Sequence, residues 1–229
     1  HSFCAKMLRK YSQLIGIQSD YTIIDPGDCA DIISIIETEH GMDKVKDFPR
    51  SSQLVSAHSK ALNTNQSLED TLFDMFGKWK YMEIERFIPD IKKILADYQS
   101  YKKQNNMMDY DDLLINFISV LKRNPSIKNK LADIYQYIMI DEYQDSNYLQ
   151  EKIIFMLREK NRNLAVVGDD YQCIYGFRGS MVENIINFPQ KMSGCKVVYL
   201  TQNYRSNQEI MDLSNIVMKK HSLEGFFKK

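Results

Sequence analysis

Tyr137–Asp145 reads YIMIDEYQD, an apolar run that stops at two adjacent carboxylates, followed by a glutamine and a third carboxylate. Ile138, Met139 and Ile140 are too few to span a membrane but suit a strand buried on both faces of a parallel sheet. Asp141 then falls at the strand's carboxyl end, where ligands bind in open α/β sheets. Asp141 and Glu142 repel each other unless a cation lies between them and a substrate. Magnesium fills that role, held through one or two carboxylates together with substrate phosphates. The plainer alternative is a solvated acidic turn, because short motifs also arise by chance.

A second apolar run, Leu164 to Val167, leads into Gly168, Asp169, Asp170, Tyr171 and Gln172, then Ile174-Tyr175-Gly176-Phe177-Arg178-Gly179. Between the two runs, Leu149, Ile153, Met156 and Leu157 recur at helical spacing within Leu149–Lys160. The order strand, helix, strand predicts a βαβ unit with both strand tips at one edge, so that Asp141 and Gln172 address one ligand. Two glycines around an aromatic and an arginine suit a loop that stacks a base and touches a phosphate; core packing is the competing reading for Tyr175 and Phe177. A third run, Val197 to Leu200, reads as another strand and precedes Gln202-Asn203-Tyr204-Arg205-Ser206. Tyrosine beside arginine suits stacking on a base and pairing with a phosphate oxygen.

YIMIDEYQDSNYLQ, AVVGDDYQCIYGFRGS and YLTQNYRSNQEI resemble motifs II, III and IV of UvrD/Rep-type superfamily 1 DNA helicases, in the family's order and spacing. HSFCAKMLRKY at the start is similar to the family's segment after motif Ia, and YQSYKKQNNMMDYDDLL, Tyr98 to Leu114, to the segment re-entering its first motor domain. The likeness runs from His1 to about Met218. It implies ATP and Mg2+ as cofactors and single-stranded DNA and DNA junctions as partners. It also implies 3′-to-5′ translocation or unwinding in repair, replication or recombination. By resemblance Asp141 holds magnesium, Glu142 orients or deprotonates the attacking water, and Gln172 senses the terminal phosphate. Tyr204 stacks on adenine and Arg205 meets the terminal phosphate. Tyr175, Phe177 and Arg178 contact DNA, and Gln144 and Asp145 couple the ATP site to motif III. Two alternatives stay open: a DNA- or protein-binding module without ATPase, and part of a helicase-nuclease subunit.

The implied fold is α/β, an incomplete RecA-like parallel sheet of the P-loop type with an all-α insertion. Residues 1–19 and 107–202 would form the first motor domain, 20–106 the helical insertion, and 203–229 the truncated start of a second motor domain. No G-x-x-x-x-G-K-[ST] string occurs, so the phosphate-binding loop is expected outside an internal fragment that is inactive alone. The motif II strand would then be left with an apolar, unpaired edge, inviting self-association or partial disorder.

Within residues 20–106, Asp25-Pro26-Gly27-Asp28 marks a break before a helix carrying Ile32, Ile33, Ile35 and Ile36. Pro89 suits the first turn of a helix with Ile91, Ile94, Leu95 and Tyr98 on one face. Asp109, Asp111 and Asp112 read as the capped start of a helix through Leu121 rather than a metal cluster. The 229 residues are 44% hydrophobic, enough for a substantial core, and carry no net charge. Bulk electrostatics therefore does not select a nucleic-acid partner. Lys78 to Lys103 holds seven Lys or Arg against four acids, which reads as a solvated helix face or a weak phosphate-contacting surface. Cys4, Cys29, Cys173 and Cys195 form no C-x-x-C pair. With no apolar run near 18 residues or secretory pattern, a cytoplasmic setting and no membrane partner are expected.

Overall fold

The computed structural model describes residues 1–173 and 182–221. The chain falls into two units, His1–Phe188 and Pro189–Lys229. In the first, α1 (Ser2–Tyr11) leads to β1 (Thr22–Ile23). Four helices follow, α2 (Pro26–Glu39), α3 (Ser51–Thr64), α4 (Leu68–Ile84) and α5 (Ile88–Gln104), and then β2 (Met107–Met108). Next come α6 (Tyr110–Arg123), α7 (Pro125–Ile134), β3 (Ile138–Ile140), α8 (Tyr148–Arg158) and β4 (Leu164–Val166), with α9 (Val182–Ile186) and α10 (Phe188–Lys191) after them. Among the described residues the fold is mixed α/β, mostly helical, with two small parallel sheets, β1–β2 and β3–β4.

Local chemistry sets the helix starts. Asp25 accepts from the backbone N–H of Gly27 (2.7 Å) and Asp28 (3.0 Å), while the Asp28 carboxylate accepts from Asp25 N–H (3.0 Å). The proline after Asp25 therefore opens α2 instead of breaking it. Asp109 and Asp112 form the same reciprocal box on α6, and Asn147 with Gln150 on α8. Pro89 sits in the first turn of α5, whose Ile91, Ile94, Leu95 and Tyr98 are buried. Asp109 and Asp112 are thus cap residues, whereas the Asp111 carboxylate accepts from Asn63 Nδ2 at 2.7 Å. Among the described residues no group of three or more His, Cys, Asp or Glu is placed to hold a metal, and no helix is long and apolar enough to cross a membrane.

Two hydrophobic cores form in this unit. One gathers Leu8, Phe117, Leu121, Leu149 and Ile153 from α1, α6 and α8; the other gathers Ile33, Leu54, Leu72 and Ile91 from α2 to α5. β1 and β2 lie between them. Successive strand residues point to opposite faces, so Met108 joins the first core and Met107 packs against the second.

Two strand expectations are corrected. β3 is not buried on both faces: Ile138 packs against the first core, but Met139, on the other face of the pleat, is 76% exposed. Val197–Leu200 is not a strand. It is irregular and exposed, and among the described residues no strand pairs with it; the second unit also holds α11 (Gln208–His221).

The basic stretch holds another surprise. Lys102, expected on a solvated face, is 1% exposed. Its ammonium pairs with both Asp109 and Asp112 and lies 4.3 Å from the Tyr98 ring centroid, and the Tyr98 hydroxyl donates to Asp109 at 2.9 Å. Burial, and then the Asp109 charge, push the Asp112 carboxyl up to about 6. Burial also opposes ionisation of Asp109, but Lys102 outweighs it and holds that carboxyl below its ordinary value. Removing one partner from such a cluster strands buried charge. Lys102→Met should therefore lower stability by about 3–5 kcal/mol in urea unfolding at pH 7; a loss under about 1 kcal/mol would show that the carboxylates are hydrated. For Asp112 the folded value lies above the unfolded one, so its stabilising contribution is present at low pH and is lost as pH rises from about 4 through 6. Melting temperatures of Asp112→Asn relative to wild type should accordingly climb across that window and level off above it, and a flat difference would contradict the assignment.

Candidate functional site

The parallel ladder continues beyond β3 and β4. Val167 N–H donates to the Ile140 carbonyl (2.8 Å), and Tyr143 N–H donates to the Val167 carbonyl (2.9 Å). The turn carrying Asp141 and Glu142 is thus pinned at both ends. Glu142 adopts φ 50°, ψ 45°, a left-handed conformation that costs a non-glycine residue about 1–2 kcal/mol. The Asp141 carboxylate accepts from the N–H of the next residue, Glu142, at 3.0 Å. As a result Asp141 and Glu142 face solvent while Tyr143 and Gln144 go inside.

Tyr143 is fully buried, its ring 5.2 Å from that of Phe188 in an edge-on arrangement, and its hydroxyl donates to Glu151 at 2.8 Å. Burial, then the Glu151 carboxylate, raise the phenol well above its ordinary range and keep it a donor. Gln144 is 1% exposed and uses both ends of its amide. Nε2 donates to Glu142 Oε2 (2.7 Å), and Oε1 accepts from Asp169 N–H (3.1 Å). Asp169 in turn accepts from Gln172 Nε2 (2.8 Å) and from Tyr171 N–H (3.0 Å). A continuous hydrogen-bond chain therefore runs Glu142–Gln144–Asp169–Gln172, joining the two strand tips.

Close packing fixes this link. A Cβ on Gly168 would fall 2.5 Å from Gln144 Oε1 and 2.6 Å from Ile185 Cδ1, so a larger residue there would have to displace the ends of both side chains. Beside it, Asn184 donates to the Ser146 carbonyl at 3.2 Å. Asp145 is half-buried, and among the described residues its Oδ1 has no hydrogen-bond partner. Burial, with Glu142 nearby, raises its carboxyl above the ordinary value.

Asp141, Glu142, Gln144, Asp145 and Gln172 thus gather at one sheet edge. Tyr175, Phe177 and Arg178 lie outside the described residues. Tyr204 and Arg205 belong to the second unit, where Asn203 Oδ1 accepts from the backbone N–H of Arg205 and of Ser206, both at 2.9 Å, ahead of α11. Tyr204 is 92% exposed there. The sequence placed Gly168 and Asp169 just after the second apolar run, within the stretch resembling motif III, but gave neither a role of its own.

The donor set at the β3 tip is two exposed carboxylates with no third His, Cys, Asp or Glu grouped with them among the described residues. A protein-only cage needs more ligands than this. Magnesium does not, since it keeps waters and takes substrate phosphates as the remaining ligands. The residues present fit that ion.

Residues 1–193 match the UvrD/REP helicase N-terminal domain. The chain is 33% identical over 222 residues to the ATP-dependent DNA helicase PcrA of Staphylococcus epidermidis and 32% identical over the same length to PcrA of Staphylococcus aureus. Each match covers 97% of this chain but 29% of the relative. The chain thus spans less than a third of the length of the curated relatives it matches. Domain match, relatives and an acidic strand tip tied to a glutamine-bearing loop agree: this chain belongs to the UvrD/Rep helicase family.

Proposed function

We propose that this chain is part of an ATP-dependent motor that moves 3′ to 5′ on single-stranded DNA and opens duplexes or junctions in repair, replication or recombination. The observation that carries this reading is the Glu142–Gln144–Asp169–Gln172 chain. It links a carboxylate suited to activating water with a loop suited to sensing phosphate and DNA. Residues 1–19 and 107–202 belong to a RecA-like motor domain under this reading, 20–106 to an inserted helical subdomain, and 203–229 to the start of a second motor domain.

The roles follow from the chemistry. Asp141 holds magnesium, which when bound neutralises phosphate charge and aligns the terminal phosphate. Glu142, solvent-facing beside it, orients the attacking water and takes its proton. Gln172 responds to the terminal phosphate. Gln144, with Asp145 beside it, passes that response between the two strand tips. Tyr204 stacks on the adenine, and Arg205 offsets the charge that builds on the transferred phosphate. Tyr175 and Phe177 stack on DNA bases and Arg178 contacts the backbone. The phosphate-binding loop that hydrolysis also needs is not in this sequence, so turnover belongs to the full-length protein.

In that protein, Glu142→Gln should lower DNA-stimulated ATP turnover by about 10²–10⁴-fold while a fluorescent ATP analogue still binds with near wild-type affinity. Turnover within threefold of wild type would remove Glu142 from the chemistry.

A further inference from the structure

A cavity lined by neither Asp141 nor Glu142 lies where the turn between α3 and α4 meets the start of α8. It encloses about 310 Å³, at the small end of the roughly 300–1,000 Å³ usual for sites that take small molecules. Leu62, Leu68 and Leu149 give it an apolar side, and His58 and Tyr148 add two rings. The His58 ring is anchored to α5, since it is hydrogen-bonded to the Gln99 amide at 2.9 Å and stands edge-on to Tyr98 at 6.4 Å. Gln66 brings a side-chain amide whose Oε1 already accepts from the Thr64 hydroxyl at 3.0 Å. Its Nε2 is therefore the end left to a ligand.

Charge on this wall is one-sided. Lys152 is the one charged group among the described residues that line the cavity, because burial and the Lys102 ammonium both hold His58 neutral at pH 7. The Lys152 ammonium donates to the Tyr148 hydroxyl at 3.1 Å and lies 4.9 Å from that ring's centroid. No carboxylate pairs with it among the described residues. A half-buried cation without a counter-charge is where an anion gains most. Ammonium and amide N–H groups only donate, so the ligand must accept, as a carboxylate does. One positive charge answers one negative charge; a phosphate dianion would bring a second that nothing on the wall balances. The apolar side in turn selects a hydrocarbon body over a sugar or an amino acid.

We propose that this cavity is a binding site for a small organic monocarboxylate with an apolar body of one or two rings, its carboxylate held by Lys152 and its rings seated against Leu68 and Leu149. α3 contributes Leu54 and Ala57 to the second core, whereas α8 contributes Leu149 and Ile153 to the first. An occupant would thus staple a helix of one core to a helix of the other.

The test is equilibrium dialysis of the full-length protein against 2-naphthoate and against 2-naphthalenemethanol, which carries the same rings without the charge. Naphthoate should occupy a single site with a Kd of about 0.1–1 mM, the range open to so small a ligand. The alcohol should bind about tenfold more weakly. Lys152→Met keeps the apolar stem of the side chain and should bring naphthoate down to the level of the alcohol, while Lys152→Arg keeps the charge and should retain naphthoate binding. Leu68→Trp fills the apolar side and should weaken both ligands. Absence of saturable naphthoate binding, equal binding of acid and alcohol, or wild-type affinity in Lys152→Met would each overturn the site. Lys152 is half-exposed, so its replacement should leave the fold intact. Should Leu68→Trp fail to fold by circular dichroism, the two Lys152 variants decide.

Discussion

The parallel pairing of β3 with β4 governs the arrangement of everything at the site. Parallel neighbours cannot be joined by a hairpin, so the chain must cross over, here through α8, before it can lay Leu164 beside Ile138. That crossover brings both carboxyl tips to the same edge. Two loops distant in sequence thereby become hydrogen-bonded neighbours, and the ladder extends past each strand to hold them in register. Gln144 exploits this proximity. A buried amide left without partners would be costly, and its two partners exist only when the turn after β3 and the turn after β4 stand in one particular relation. The side chain therefore specifies a geometry as much as it stabilises one.

Much of this was legible in the residues. The helical spacing of Leu149, Ile153 and Leu157 between two short apolar runs gave the crossover, and the acids at 109, 111 and 112 ahead of Leu113, Phe117 and Leu121 gave the capped start of α6. What escaped was physical context that no short window contains. Three apolar residues do not reveal whether one face or both will be covered, so the exposure of Met139 was invisible. Val197–Leu200 has the same pattern as β3, yet no neighbouring strand pairs with it among the described residues. β1 and β2 have two residues each, below the length at which alternation can be read. Lys102 looked like any surface lysine, because its burial depends on carboxylates that reach it only after α5 and α6 have docked. The left-handed turn at Glu142 leaves no compositional mark either, since glycine or asparagine would be the usual sign. The acidic pair was found from its charge; its geometry was not.

The two cores meet across the β1–β2 pair and the cluster of Tyr98, Lys102, Asp109 and Asp112. Apolar contacts alone would let helices slide over one another at such a seam, whereas a buried ammonium shared by two carboxylates tolerates little displacement. The cap of α6 is built from the same two aspartates. Docking of α5 and initiation of α6 are for that reason one event, satisfied or lost together.

The brief contact of β1 with β2 also has a consequence for how such a chain can change. Thr22 and Met107 stand side by side, so the backbone leaves for α2 and returns from α5 at adjacent points, separated by about the spacing of neighbouring strands. The connections between α2, α3 and α4 can lengthen or shorten while the host fold sees the same two ends, so long as Lys102 on α5 still reaches Asp109 and Asp112. Because the entropy of closing a loop grows only slowly with its length, such rebuilding would cost the host little. The pair thus behaves as a docking collar, across which one body is free to diversify while the residues around Asp141 stay where they are.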